Sequence, residues 1–215
     1  MKYKNPVTED ILSGWSHILG VVLAIIGTIA IVMKNYPISD SWRFWSTLIF
    51  GLSLILMYST SSAYHLCRSD SRKKKLRKLD HSAIYVLIAG TYTPFCLITL
   101  RESGSLGWLI FALTWSIAII GILLSYRRMK SSVSLVKTIG YIAMGTVILA
   151  VTPTFLEILQ TNNNEKAFYW IVAGGVFYIL GCVPYMLSKY KGMHTVWHFF
   201  VMGGSACHYI AIWSL

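Results

Sequence analysis

The sequence predicts an all-α integral membrane protein, a seven-transmembrane helix bundle with its N-terminus inside and its C-terminus outside. Three observations support this fold class. Of the 215 residues, 55% are hydrophobic and only 13% are charged, whereas a typical soluble domain has about 25% charged residues. The mean hydropathy is +0.59. The apolar residues form seven long runs, and basic residues gather in alternate links between them.

Each of the seven runs is long enough to cross a bilayer, which takes roughly 20 mostly apolar residues. In chain order they are Ile11–Met33, Trp42–Cys67, Asp80–Leu100, Leu106–Tyr126, Leu135–Leu156, Ala167–Leu187 and His194–Leu215. Pro94, Pro153 and Pro184 fall inside predicted spans, and we expect kinks there. Because the links are short, we expect one domain over residues 1–215.

The first run follows Lys2 and Lys4, as the apolar core of a secretory signal peptide would. However, it is longer than the roughly 7–15 apolar residues of such peptides. It also contains Ser13, Ser16 and His17, which suit a helix that faces the interior of a bundle. We therefore expect a retained first transmembrane helix.

The distribution of basic residues predicts the direction of every helix. One set of links and helix ends carries Lys2, Lys4, Arg68, Arg72, Lys73, Lys74, Lys75, Arg77, Lys78, Arg127, Arg128, Lys130, Lys137, Lys189 and Lys191. The opposite set carries only Lys34, Arg43, Arg101 and Lys166. Since cytoplasmic loops are enriched in Lys and Arg, the first set is predicted to face the cytoplasm.

The net charge of +11 does not indicate nucleic-acid binding, because the charges lie in short links and not on one face of a folded domain. The basic run 68–78 has the charge to contact anionic lipid, although a topology signal alone accounts for it. Membrane lipid is the expected environment. No soluble protein partner is inferred, and the sequence leaves open whether the chain forms an oligomer.

Polar residues from four predicted helices fall in one layer at the cytoplasmic face. His65 ends the second span, Asp80 begins the third, and His194 and His198 begin the seventh. His17 lies about two turns inside the first span. Ionisable groups inside a membrane are costly and usually face a cavity or one another. This layer therefore predicts a shared functional site.

The spacing of these residues predicts a metal centre. His194 and His198 are four residues apart and project from one helix face, as do the two histidines of the HExxH motif, although its Glu is missing here. His65 would supply a third nitrogen. Three protein ligands and one open position are typical of catalytic zinc sites. Nitrogen ligands favour Zn2+, although the sequence does not exclude iron or manganese.

Two polar residues are predicted to lie beside the metal. Ser61 is four residues before His65 and faces the same way, and Asp80 would handle protons next to a metal-bound water. The remaining histidines are not predicted to be metal ligands. We expect a helix-to-helix hydrogen bond or a headgroup-level position for His208, an interfacial position for His81, and either a cavity hydrogen bond or an auxiliary site role for His17.

Three motifs in the expected order carry a family resemblance. They are Ser59–His65, Leu79–Tyr85 continuing through Ala89–Pro94, and His194–His198 continuing through Gly203–His208. Together with Glu9–Gly20, they resemble the hemolysin III-related membrane proteins. Those proteins form the bacterial branch of the progestin and adipoQ receptor family, within a wider group of proposed membrane hydrolases that includes the alkaline ceramidases. The likeness spans nearly the whole chain.

The resemblance implies a seven-helix bundle in a bacterial plasma membrane, with zinc held by His65, His194 and His198. It also implies roles for Ser61 and Asp80 beside the metal-bound water. The eukaryotic receptors carry a soluble N-terminal domain that has no counterpart here, so hormone reception is not carried over.

Two functions follow from these expectations. The first is a zinc-dependent hydrolase that cleaves an amide or ester bond of a membrane lipid, its candidate substrate. The alternative is a cytolysin or membrane-homeostasis protein in which the metal is structural. A transporter or channel has less support, because the sequence shows no inverted repeat.

Overall fold

The computed structural model describes residues 7–36, 40–128 and 135–215, and the regular structure in these ranges is helical. The α-helices in them are α1 (Val7–Asn35), α2 (Ser41–Leu66), α3 (Asp70–Pro94), α4 (Leu106–Arg128), α5 (Leu135–Gly145), α6 (Thr152–Thr161), α7 (Glu165–Met186) and α8 (Met193–Ser214). A π-helix, Phe95–Thr99, and a 3-10 helix, Leu100–Ser103, continue α3. A second 3-10 helix, Val147–Val151, joins α5 to α6.

Six stretches of the described chain are long and apolar enough to cross a membrane. They are Thr8–Asn35, Ser41–Leu66, Asp70–Ser103, Leu106–Tyr126, Lys137–Thr161 and Glu165–Met186, and they correspond to the first six predicted spans. Helix α8 has sufficient length at 22 residues, but its three histidines lower its hydropathy and it is not among the six. The seventh span and the direction of the bundle remain predictions.

The third helix begins well before the predicted span. It starts at Asp70, whereas the apolar run begins at Asp80, so most of the basic run is helical and not a loop. Lys and Arg are good helix formers, and Asp70 places negative charge in the first turn, where the helix dipole favours it. Hydropathy therefore marks where this helix becomes apolar, and not where it begins.

Regular α-helix is interrupted at two of the three prolines. The α-helical part of the third span ends at Pro94, and the chain continues as the π-helix and the 3-10 helix. Pro153 lies in the first turn of α6, directly after a 3-10 segment, so the fifth span is broken and not continuous. Pro184 lies inside α7. A proline lacks the N–H that an uninterrupted helix requires at that position.

Helix α3 lies at the centre of the bundle, and α1, α2 and α8 pack together beside it. In the most apolar window of the third span 83% of the residues are buried, against 28% for α1, α4 and α7. Helix α1 contacts both α2 and α8, α2 contacts α3, and α7 packs along α8. Apolar side chains such as Leu12, Leu19 and Ile26 cover the outer side of α1. The junction of α1, α2 and α8 contains the polar residues described below.

The close approach of α4 to the irregular end of the third span generates a testable prediction. A Cβ at Gly107 would meet the carbonyl oxygen of Cys96 and lie 2.7 Å from the backbone nitrogen of Arg101. Since backbone atoms cannot rotate away, Gly107→Ala should destabilise the protein by about 2–3 kcal/mol. Thermal unfolding in detergent measures this loss.

Gly175→Ala on α7 is the matched control. No atom lies within 4 Å of a Cβ built there, so this change should be neutral or stabilise the helix by up to about 1 kcal/mol. Equal unfolding temperatures for the two variants would contradict the close packing of α4 on the third span.

Candidate metal centre

Three histidine rings from two helices converge on one point. His65 comes from the last turn of α2, and His194 and His198 come from the start of α8. Their ligand atoms all lie within 4.8 Å of one another. The ring centroids are 4.9 Å, 5.0 Å and 4.9 Å apart in the three pairs, so no ring is displaced from the group. His65 and His198 are buried, and His194 is partly buried.

The spacing of the nitrogens suits a shared metal ion. The Nε2 atoms of His65 and His194 are 3.1 Å apart. Two nitrogens bound to one tetrahedral zinc at about 2.0–2.1 Å would be roughly 3.3 Å apart. The donor set consists of imidazole nitrogens alone, which suits zinc and other borderline metals better than magnesium or calcium. The three residues therefore fit a metal ion.

The ring of His65 is held by a carboxylate. Its Nδ1 lies 3.1 Å from Oδ1 of Asp10 on α1, and the other oxygen of Asp10 accepts from the Lys73 ammonium at 2.6 Å. An ionised carboxylate can only accept, so His65 carries its proton on Nδ1. In the neutral ring, Nε2 then presents a lone pair to the centre of the cluster, which is the tautomer that a metal requires.

The two rings on α8 are held in the same way. Nδ1 of His198 donates to the backbone carbonyl of Ser13 at 3.0 Å and also lies 3.0 Å from the Ser16 hydroxyl. Nδ1 of His194 lies 3.3 Å from the hydroxyl of Ser188. Every ring of the cluster thus has a partner at Nδ1, which leaves Nε2 as the ligand atom on each.

The first turns of α1 also fix the start of α8. The backbone N–H of Gly192, which precedes α8 with a φ of 84°, donates to the Glu9 carboxylate at 2.9 Å. One turn further, the hydroxyls of Ser13 and Thr195 are 2.9 Å apart. These contacts set the position of α8 along α1, and hence the depth at which His194 and His198 meet His65.

Ser61 and Asp80 lie next to the histidine cluster. Ser61 is buried on α2, one turn before His65. Ser61 and His65 both interact electrostatically with the Asp80 carboxylate on α3. Helix α3 therefore brings Asp80 next to Ser61 and the cluster. The catalytic roles predicted for Ser61 and Asp80 remain predictions.

His17 lies against the cluster without joining it. Its ring stacks on His198 with centroids 3.6 Å apart and planes 12° apart, and it meets the edge of Tyr58 at 5.1 Å. The side chain is 2% exposed, and neither ring nitrogen has a hydrogen-bond partner in the described part of the chain. Among the described residues His17 therefore makes a ring contact with a candidate ligand, and the cavity hydrogen bond considered from the sequence remains a prediction.

The two remaining histidines differ from the sequence interpretation. His81 was expected at the membrane interface, but it is 6% exposed and lies between helices, where its carbonyl accepts from the Tyr141 hydroxyl at 3.0 Å. His208 stacks on Tyr178 of α7 with centroids 5.6 Å apart. The contact between its helix and α7 is thus a ring stack, and not the hydrogen bond that we expected.

Sequence reasoning missed the partners that hold the three rings. No role was predicted for Asp10 or Ser188. A signal for α1 was available, because Asp10, Ser13 and His17 are spaced i, i+3 and i+7 and form one polar stripe on an otherwise apolar helix. No sequence pattern could have identified the Ser13 carbonyl as an acceptor.

Comparison with known proteins finds similar sequences over nearly the whole chain. A family model described as "Haemolysin-III related" matches residues 5–209. The chain is 35% identical over 207 residues to "Hemolysin-3" of Bacillus cereus, which covers 96% of this chain and 91% of the relative. The identity to the "Hemolysin-3 homolog" of Bacillus subtilis (strain 168) is also 35%, over 96% of this chain and 93% of the relative.

A more distant relative is human. The chain is 27% identical to the "Monocyte to macrophage differentiation factor" of Homo sapiens, over 99% of this chain and 87% of the relative. The family match covers almost every helix that was described above, including all three helices that meet at the histidine cluster. With its six membrane-spanning stretches, this chain is therefore a multi-pass membrane protein that belongs to the haemolysin-III-related family.

Proposed function

We propose that the protein is a zinc-dependent hydrolase that cleaves an amide or ester bond of a membrane lipid at the cytoplasmic face. The observation that carries the proposal is the histidine cluster itself. The ligand atoms of the three rings lie within 4.8 Å of one another, and the Nδ1 of each ring has a partner elsewhere. Ser61 and the Asp80 carboxylate lie beside the cluster.

Each residue has a task in such a reaction. Zinc held by His65, His194 and His198 would act as a Lewis acid toward the scissile carbonyl and make water a nucleophile at neutral pH. The Asp80 carboxylate accepts the proton of the attacking water and returns it to the leaving nitrogen or oxygen. The Ser61 hydroxyl, which interacts with that carboxylate, would donate a hydrogen bond to it and fix its orientation during the reaction.

The surroundings of the cluster support a lipid substrate. The cluster lies at the end of the bundle that also carries the basic run at the start of α3. The outer surfaces of α1 and α7 are apolar, with Trp15, Leu19 and Leu180 exposed. A lipid whose tails rest on such surfaces brings its ester or amide carbonyl to the depth of the headgroup boundary, where the cluster would lie if the basic run faces the cytoplasm.

Metal analysis tests the ligand set. Wild-type protein should bind about one zinc per chain, and His65→Ala, His194→Ala or His198→Ala should reduce this to less than about a tenth, because two nitrogens form a poor site. His208→Ala is the matched control, since it removes a buried histidine of the same helix that lies away from the cluster. Zinc content that is unchanged in the three variants would refute the site.

A second test addresses the carboxylate that holds His65. Asp10→Asn should weaken zinc binding about 10–100-fold, because the ring loses the negatively charged acceptor that fixes its tautomer and raises the basicity of Nε2. Competition with a chelator measures the change. Asp70→Asn, which removes an exposed carboxylate at the start of α3, should leave the affinity unaltered. An equal loss of zinc affinity in both variants would show that any removed negative charge has this effect, and not the contact of Asp10 with His65.

Catalytic activity requires an assay of lipid cleavage. Purified protein with zinc should release fatty acid from one or more members of a panel of ceramides and phospholipids. Asp80→Asn should lower the rate about 100-fold or more, and Ser61→Ala about 10–100-fold, with zinc content retained. Ser62→Ala is the control, because its buried hydroxyl has no hydrogen-bond partner in the described residues. Identical release by wild type and His194→Ala across the panel would defeat the hydrolase proposal.

A cytolysin with a structural metal is the second candidate. It is favoured by the 35% identity to a protein named "Hemolysin-3" and by the way the cluster links α2 to α8. In this case lysis of red cells would survive Ser61→Ala and Asp80→Ala in normally folded protein. Loss of lysis in those variants would instead favour a catalytic role for Ser61 and Asp80.

A further inference from the structure

A second group of polar side chains lies between α3 and α5, and it includes none of the three candidate ligands. Arg77 and His81 are one turn apart on α3, and Lys137 and Tyr141 are one turn apart on α5. The Tyr141 hydroxyl donates to the His81 carbonyl at 3.0 Å, so these two helix faces meet. The charge of Lys137 acts on both His81 and Arg77, which places the two cations near each other.

Each of these three side chains has a nitrogen that is enclosed and unpaired among the described residues. Nζ of Lys137, Nε of Arg77 and Nδ1 of His81 are each shielded from solvent and make no hydrogen bond in the described part of the chain. The ion pairs among the described residues are His65–Asp10, Lys73–Asp10 and Arg101–Asp40, and none of them includes these cations. Two positive charges therefore share a partly buried space without a counter-ion from the part of the chain that the structure describes.

Nearby carboxylates do not pair with these cations in the described residues. Asp80 precedes His81 directly and its charge reaches Tyr141, but it forms no ion pair with Arg77 or Lys137. Asp10 is shared by His65 and Lys73. Removing a charge from water without pairing it costs several kcal/mol, and the two cations also repel each other. An anion between them would remove both costs.

We propose that Arg77, Lys137 and His81 form a binding site for a phosphate group, carried either by a lipid headgroup or by a soluble phosphate. Guanidinium offers a planar pair of donors that matches phosphate oxygens, and an ammonium adds a compact charge. The imidazole of His81 supplies a further donor from the apolar side. The site does not depend on a metal ion or on the proposed hydrolysis.

The burial of these cations separates this site from a simple topology signal. Lys74 and Lys75 lie on the same helix and are exposed to solvent, where they could orient the chain without binding anything. Orientation by positive charge does not require burial. A role in orientation therefore does not explain why nitrogens of Arg77 and Lys137 are enclosed, whereas a bound phosphate does.

Native mass spectrometry of the purified full chain tests the proposal. The probes are phosphatidylglycerol, diacylglycerol as the same lipid without phosphate, and inorganic phosphate as a competitor. Wild type should retain phosphatidylglycerol and not diacylglycerol. The double variant Arg77→Gln/Lys137→Met should bind phosphatidylglycerol at least about tenfold more weakly, as expected for the loss of charge-assisted contacts.

The double variant Lys74→Gln/Lys75→Met is the matched control, because it removes the same charge from the exposed side of α3 and should bind like wild type. Displacement of the lipid by millimolar inorganic phosphate identifies a site for the phosphate group alone, and resistance to displacement identifies a lipid headgroup site. Equal binding by the two double variants, or equal retention of diacylglycerol, overturns the proposal.

A folding defect would not hide the result. Arg77→Lys and Lys137→Arg keep the charge and should keep binding, while Arg77→Gln alone should weaken it. Thermal unfolding in detergent shows whether each variant is folded before binding is compared. Loss of binding in the charge-keeping variants at unchanged stability would also count against a phosphate site.

Discussion

The structure depends on the requirement that a polar group buried in a membrane protein must find a partner. For three groups of α1 this requirement is met by neighbouring segments, because Glu9 accepts from Gly192, Asp10 from His65, and the Ser13 carbonyl from His198. Each of these contacts crosses from the first helix to α2 or to the segment that begins α8. The same bonds that satisfy α1 therefore align the three candidate ligands.

Much of the fold was accessible from hydropathy alone. Six apolar runs became helical stretches of spanning length, because the cost of exposing backbone polar groups in lipid leaves few other structures. What hydropathy could not indicate was the helical basic run before Asp80, the π-helix after Pro94, or the division of the fifth span into α5 and α6. These features depend on helix propensity and backbone sterics, and an average over apolar residues is insensitive to both.

The candidate site was also predictable only in part. The helical spacing of His194 and His198, together with a common depth, was enough to group them with His65, and the structure brings the three together. The residues behind the rings were not accessible, because a backbone carbonyl such as that of Ser13 has no signature in a sequence. The burial of His81 also escaped prediction, since it depends on how α5 packs against α3.

The order of the ligands along the chain has a consequence for how the protein is made. Asp10 and His65 belong to α1 and α2, whereas His194 and His198 belong to α8, where His194 follows His65 by 129 residues. During synthesis, α1 and α2 must hold their polar groups before the counterparts on α8 exist. The centre can assemble only after α8 has packed beside α1 and α2. Formation of the histidine cluster therefore marks the docking of α8, and a nascent chain would depend on insertion machinery or lipid headgroups to shelter Asp10 and His65 until then.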